Sequence, residues 1–335
     1  LGGISAMAVV SAAGCSPARE VSQESAGEAG VFSFQEIARG LDENHHVSEG
    51  HIADLLLRWG DPVFPDAPAF NPYAQTAAAQ ERQFGYNNDF IGFHPLTVEA
   101  GAPARGLLCI NHEYTSTRLM LPGAADRPLT REECAVEMAA HGGTIVEIVQ
   151  NAEGGWSVDT ASAYNRRLTA GSTQMELTGP AAGSDRLKTS TDATGRRVIG
   201  TLNNCAGGMT PWGTYLMAEE NFNGNFMGRL PADHPEAENY ARYGVPGGWY
   251  QWGQHFERFD VAKEPNEPNR FGWVVEVDIL DPASTPKKRT ALGRFKHEGA
   301  ESVVAPDGRV VIYMGDDQRF DYVYKFVSAQ AVREG

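Results

Sequence analysis

The chain has 335 residues, 41% of them hydrophobic and 10% aromatic, which is enough apolar material for a large core and excludes a disordered polymer. Lys and Arg number 28 against 43 Asp and Glu, a formal charge of −15. Such a surplus repels nucleic acid and anionic membranes and leaves carboxylates free for cations, although solubility alone is an equal reason for it. No basic patch with interleaved aromatics appears, so nucleic acid is not expected as a specific partner.

The opening LGGISAMAVVSAAG is small, apolar and uncharged and reads as the remnant of an export signal. It is too short to span a bilayer, which needs roughly 20 apolar residues. Cys15 follows Ala12-Ala13-Gly14 and could be a lipobox cysteine carrying a lipid anchor; plain cleavage nearby is the equal alternative. Residues 16–30, rich in Ser, Ala, Gly and Glu, read as a tether, which assigns 1–30 to signal remnant and tether and 31–335 to one domain. HIADLLLRWGDPVF, from His51, alternates as a strand or one helical turn would, and Pro65, Pro68 and Pro72 mark a loop.

Beyond it strands dominate, and the fold class is all-β. GLLCINHEY carries Cys109 as a buried strand residue; Asn111 and Glu113 alternate on it and could offer two oxygen ligands together, with His112 a structural hydrogen-bonder on the other face. TREECAVEMAA from Thr130 reads as a helical insertion, and its Cys134 could pair with Cys109. GGTIVEIVQNAEGGWSVD is a hairpin, FGWVVEVDIL a strand, and SVVAPDGRVVIYMGDD two strands joined by Pro306-Asp307-Gly308. Hairpins separated by long loops suit propeller blades, although no clean 40-residue repeat is visible and a sandwich fits the pattern nearly as well. Pro231 to Pro268, with Trp249, Tyr250 and Trp252, reads as an insertion capping one face.

Two stretches carry the chemistry. TLNNCAGGMTPWGTYLMAEEN reads as a loop bearing Cys205, a strand from Tyr215 to Ala218, and a loop bearing Glu219 and Glu220; Gly207 and Gly208 are taken to supply backbone geometry closed to other residues. Neighbouring strand residues face opposite sides, so only one of Glu219 and Glu220 should enter a site. In RFKHEGAES, Glu298 and Glu301 flank a Gly-Ala turn before a strand, and the returning strand ends at Asp316 and Asp317. A hairpin brings its two ends to one edge, so these four acids are expected together, where they would repel unless cations sat among them. Arg294 and Lys296 alternate just before them and could either hold phosphate or pair with the same acids. A thiolate with carboxylates suits iron, and carboxylates alone suit calcium.

NNCAGGMTPWGTYLMAEEN resembles the signature segment of the PhoX family of bacterial alkaline phosphatases. FGYNNDFIGFHPL from Phe84, CINHEYT from Cys109, RFKHEGAESVVAPDGRVVIYMGDD from Arg294 and FDYVYKFVS from Phe320 fall in that family's order and at about its spacing. The resemblance implies a six-bladed β-propeller, here incomplete because such proteins are considerably longer and this chain starts without Met and stops soon after a strand. It implies a periplasmic or extracellular phosphomonoesterase, exported folded if twin arginines preceded Leu1, active at alkaline pH on small phosphate monoesters and expected as a monomer. It implies bound Ca2+ and Fe3+, with Cys205 the iron thiolate, Glu220 an iron ligand, one of Glu298 and Glu301 completing the cluster and the other binding calcium. The remaining expectations are a calcium-dependent lactonase or phosphodiesterase, against which the thiol at Cys205 argues, and a non-enzymatic propeller holding structural calcium.

Overall fold

The computed structural model describes residues 35–332. The signal remnant, Cys15 and the tether all lie outside the described residues. The chain divides into residues 1–54 and 55–335. In the first unit residues 35–54 contain bends and a turn but no helix or strand. Residues 51–64 form neither the strand nor the helical turn expected of them. Val63 is buried with Phe84, Ile110 and Val146, with Leu57 and Phe64 packed against them, and an isolated antiparallel bridge between Pro62 and Gln83 ties the segment to residues 82–84 through bonds such as Phe84 N to the Asp61 carbonyl at 2.8 Å.

The second unit is built of sheets. Strands β1 (Asn88–Pro95), β2 (Arg105–His112), β3 (Gly142–Gln150) and β4 (Trp156–Val158) form an antiparallel meander, and β5 (Arg166–Leu168) adds to β3. Strands β6 (Gln174–Thr178), β7 (Arg197–Ile199), β8 (Asn204–Met209), β9 (Thr214–Glu219), β10 (Val274–Asp278) and β11 (Lys287–Arg289) form a 6-stranded sheet in the order β7-β6-β11-β10-β9-β8. Its β8 to β11 portion is a second antiparallel meander, which β6 joins parallel to β11. Strands β12 (His297–Val304), β13 (Arg309–Asp316) and β14 (Val323–Ala331) make a 3-stranded sheet. Helices are short: α1 (Ala77–Gln80), α2 (Thr117–Met120), α3 (Arg131–Ala140) and α4 (Ala237–Tyr243). The longest, α3, starts on a capping box in which Thr130 and Glu133 satisfy each other's backbone N–H. Among the described residues no helix is long and apolar enough to cross a membrane.

The connection from β9 to β10 is less of a surface cap than its composition suggests. Trp252, Phe226, Phe259 and Phe271 are fully buried against the sheets and against one another, whereas Trp249 remains 58% exposed. Insertions of this length inside the meanders are what erase any sequence period. Cys109, Cys134 and Cys205 are all free thiols, so the Cys109–Cys134 bridge is not formed.

Strands β1, β8 and β12 are each the edge strand of their own sheet, and β8 runs beside both of the others. Glycine makes that approach feasible. A Cβ on Gly208 would lie 2.2 Å from the Ala300 carbonyl oxygen of β12 and one on Gly207 would lie 3.0 Å from the Phe90 ring of β1. Neither residue has a positive φ, so their role is closeness and not left-handed backbone.

Candidate functional site

Each of the three edge strands is bulged at its start. The register slips between Asn88 and Ile91 in β1, between Asn204 and Gly207 in β8, and between Glu298 and Glu301 in β12. A bulge re-aims the side chains it carries. Asp89 and Cys205 lie within their bulges and Glu298 is the paired residue at the edge of its own, and they meet: the Cys205 thiol donates to Glu298 Oε1 at 3.0 Å and lies 3.5 Å from Asp89 Oδ2. Cys205 therefore sits in a bulged strand and not in a loop, and Gly299-Ala300 is a bulge within β12 and not a turn before it.

Two further acids complete the cluster from loops. Glu113 follows β2 and Glu220 follows β9. Asp89, Glu113 and Cys205 offer ligand atoms all within 4.8 Å of one another, and so do Cys205, Glu220 and Glu298. Two asparagines held at positive φ, Asn87 at 55° and Asn203 at 49°, lock these carboxylates. Asn203 Nδ2 donates to Glu113 Oε1 at 3.3 Å and to Glu220 Oε2 at 3.5 Å, while Asn87 Nδ2 reaches Glu113 Oε2 at 3.4 Å. Such backbone costs about 1–3 kcal/mol at a non-glycine residue and persists where surroundings enforce it, most often at functional sites.

No Lys, Arg or His among the described residues forms an ion pair with any member of the cluster. The electrostatic result is plain. Burial first and then the charge of Asp89 push Glu113 up to about 7, and burial with the charge of Glu298 pushes Glu220 up to about 8. Burial and the bond to Glu298 push the Cys205 thiol up as well. Without cations, these folded-state values above the ordinary glutamate range contribute stability that is present below that range and lost as pH rises through about 7 and about 8. The urea midpoint of metal-free protein is therefore expected to fall from about pH 5 to about pH 9. Glu220→Gln should flatten that fall, and an equal fall in the variant would show that the slope arises elsewhere.

The other sequence candidates are placed differently. Glu219 is fully buried on the opposite side from Glu220: it lies 2.7 Å from Lys288 Nζ, accepts from Thr201 Oγ1 at 2.8 Å, and accepts from the N–H groups of Gly272 and Trp273 at 3.0 and 3.1 Å. It is a core ion pair and not a cluster donor. Asn111 offers no free oxygen either, because its Nδ2 donates to the carbonyls of Cys205 at 2.5 Å and Ala206 at 3.1 Å while the Tyr215 hydroxyl donates to its Oδ1. It braces the Cys205 bulge from behind. His112 is buried and bonds Thr144 Oγ1 at 2.7 Å.

Glu301 is exposed and outside both donor groups. Asp317 reaches Glu220, whereas Asp316, its neighbour on the strand, sits with Asp321 and Arg242 and is pushed up by burial. Arg294 donates to the carbonyls of Phe271 and Pro268, both at 2.8 Å, and so is not beside the acids. Lys296 is half-buried, its carbonyl accepting from Asp317 N at 3.1 Å. Asp89 was not singled out from sequence; the available signal was an acid directly after Asn87-Asn88 and before an alternating apolar strand.

The family model described as alkaline phosphatase PhoX matches residues 32–335. A solved structure, Pseudomonas fluorescens PhoX in complex with vanadate, a transition state analogue, is similar with 43% identity and a TM-score of 0.78, over 86% of this chain and 49% of that one. The chain thus spans about half the length of that protein. No curated protein matches. The sheets described above are blades of an all-β propeller that do not close on one another among the described residues. By sequence over nearly its whole length and by fold, the chain belongs to the PhoX alkaline phosphatase family.

Proposed function

We propose that the Cys205 cluster is the metal centre of a phosphatase that hydrolyses phosphate monoesters at alkaline pH and releases inorganic phosphate. The observation that carries this reading is the shared thiol: two donor groups of three, each with two carboxylates, meet at one sulfur with no protein cation to balance them. Glu220 and the Cys205 thiol are buried and Glu113 half-buried, while Asp89 and Glu298 are exposed at the mouth; bound cations would offset the cost of charging the buried members, so the donors fit such ions. Membership of the PhoX family and the vanadate complex of the related protein support the same chemistry.

In this reading Cys205, Glu220 and Glu298 would hold Fe3+, because ferric iron accepts both thiolate and carboxylate, while Asp89 and Glu113 would hold Ca2+ through oxygen alone. Bound there, the ions supply positive charge against the phosphoryl oxygens, whose crowded negative charge makes uncatalysed hydrolysis slow. The protein's own part is positioning. Asn87 and Asn203 fix the carboxylate planes, Asn111 and Tyr215 fix the bulge that aims the thiol, and Asp89, within the β1 bulge, and Glu298, at the edge of the β12 bulge, meet it. Lys296, which forms no ion pair among the described residues, is the proposed cationic contact for the phosphate. A calcium-dependent lactonase would have no use for the sulfur at the junction of the two groups.

The test is turnover of an aryl phosphate at alkaline pH with and without a calcium chelator. Turnover that the chelator abolishes and added calcium restores is expected. Folded, metal-loaded protein that turns over lactones but no phosphate ester would sink the reading.

A further inference from the structure

The turn at Asp185–Leu187, α4 and the residues around Asn269 border an open pocket of about 190 Å3, lined in part by Arg186, Arg294, Ser184, Asn239, Asn269 and Tyr243. None of the cluster donors lines it. The charge of Arg186 is already matched, since its guanidinium makes a fork on Glu236 at 2.6 and 2.7 Å. That of Arg294 is not. Its Nε and Nη2 each donate to a backbone carbonyl at 2.8 Å, its plane lies 4.7 Å from the Phe222 ring and 4.4 Å from the Tyr243 ring, and among the described residues it forms no ion pair. Carbonyls and rings orient a guanidinium without cancelling its charge, and the like charge of Arg186 is close enough to oppose it.

The wall therefore carries a rigid, uncompensated positive charge in a chain of net charge −15. Ser184 Oγ accepts from Arg186 N, which leaves its hydroxyl hydrogen to donate, and the Asn239 amide, which gives one N–H to Glu236 Oε2 at 3.4 Å, keeps a second N–H to donate. Fixed guanidinium plus neutral donors is the recognition chemistry of a tetrahedral oxyanion. We infer that this pocket is a second anion site, separate from the metal centre, that binds a phosphate group through Arg294, with Arg186 engaged on Glu236 beside it. The inference does not depend on the metal centre being catalytic.

Calorimetric titration of inorganic phosphate into Cys205→Ser protein tests it, because that background weakens binding at the centre whether or not the centre is catalytic. Saturable phosphate binding is expected there, weakened roughly tenfold or more by adding Arg294→Gln and partly recovered by Arg294→Lys. Arg186→Gln, which leaves Glu236 unmatched at the wall, should weaken it as well and serves if Arg294→Gln does not fold. Phenylphosphonate in parallel separates the sources: tighter binding of inorganic phosphate marks the free ion as occupant, and tighter binding of phenylphosphonate marks the phosphoryl end of a larger molecule. Absence of binding in Cys205→Ser protein, or binding indifferent to both arginine variants, would overturn the site.

Discussion

Replacing Cys205 with serine is expected to strip iron from the protein and to lower kcat/KM on phosphate monoesters by at least about a hundredfold, since even outer-shell partners of a metal are worth 10–100-fold. The sulfur is the common member of both donor groups, so its loss weakens both at once. Serine nearly preserves the volume and the hydrogen bond to Glu298, and the bulge itself is held by Asn111 through the carbonyls of residues 205 and 206. The variant should therefore fold. Iron per chain by elemental analysis, read beside kcat/KM, separates the readings: a folded variant that keeps its iron and its rate would show that the thiol is an ordinary buried cysteine.

The second large effect is on stability. Lys288→Met is expected to destabilise the protein by about 3–5 kcal/mol, because it leaves the Glu219 carboxylate buried with no counter-charge. Both side chains are completely excluded from solvent, and Lys288, whose pKa burial lowers to about 8, also donates to the Arg270 carbonyl at 3.1 Å and lies 3.8 Å from the Phe271 ring centroid. Glu219 in turn gathers the N–H groups of Leu202, Gly272 and Trp273, which pins the strand end from which Glu220 projects. The loss is a large share of the about 5–15 kcal/mol by which domains are stable. Glu219→Gln combined with Lys288→Met should recover part of it, since the buried charge is removed with its partner while an amide oxygen still accepts from the N–H groups that Glu219 gathers. Urea unfolding checks this, and a single variant within about 1 kcal/mol of the parent would show that the pair is not intact in solution.

Much of the cluster was legible in the chain because its members sit at strand ends, where hydrophobic alternation stops. Cys205, Glu113, Glu220 and Glu298 were named as candidates, and the alternation rule that admits only one of Glu219 and Glu220 matches their burial on opposite sides. Which of the two faces the cluster depends on Lys288, 69 residues further on, and no local pattern carries that. Asp89 was missed for the same reason, since it meets Cys205 across 116 residues of sequence through the packing of β1 on β8. Arg294 was misplaced because strand alternation was extended to a residue before the strand begins: β12 starts at His297, and in the unpaired stretch ahead of it the side chain turns to the carbonyls of Phe271 and Pro268. Bulges are similarly invisible, being a matter of pairing between strands.

The most direct measurement is anomalous diffraction from crystals of the protein prepared with iron and calcium, collected at the iron absorption edge. A peak within bonding distance of Cys205 Sγ, about 2.3 Å for a metal thiolate, and flanked by Glu220 and Glu298, is the predicted result. A protein that crystallises folded with no iron at Cys205, its thiol still bonded only to Glu298, would contradict it.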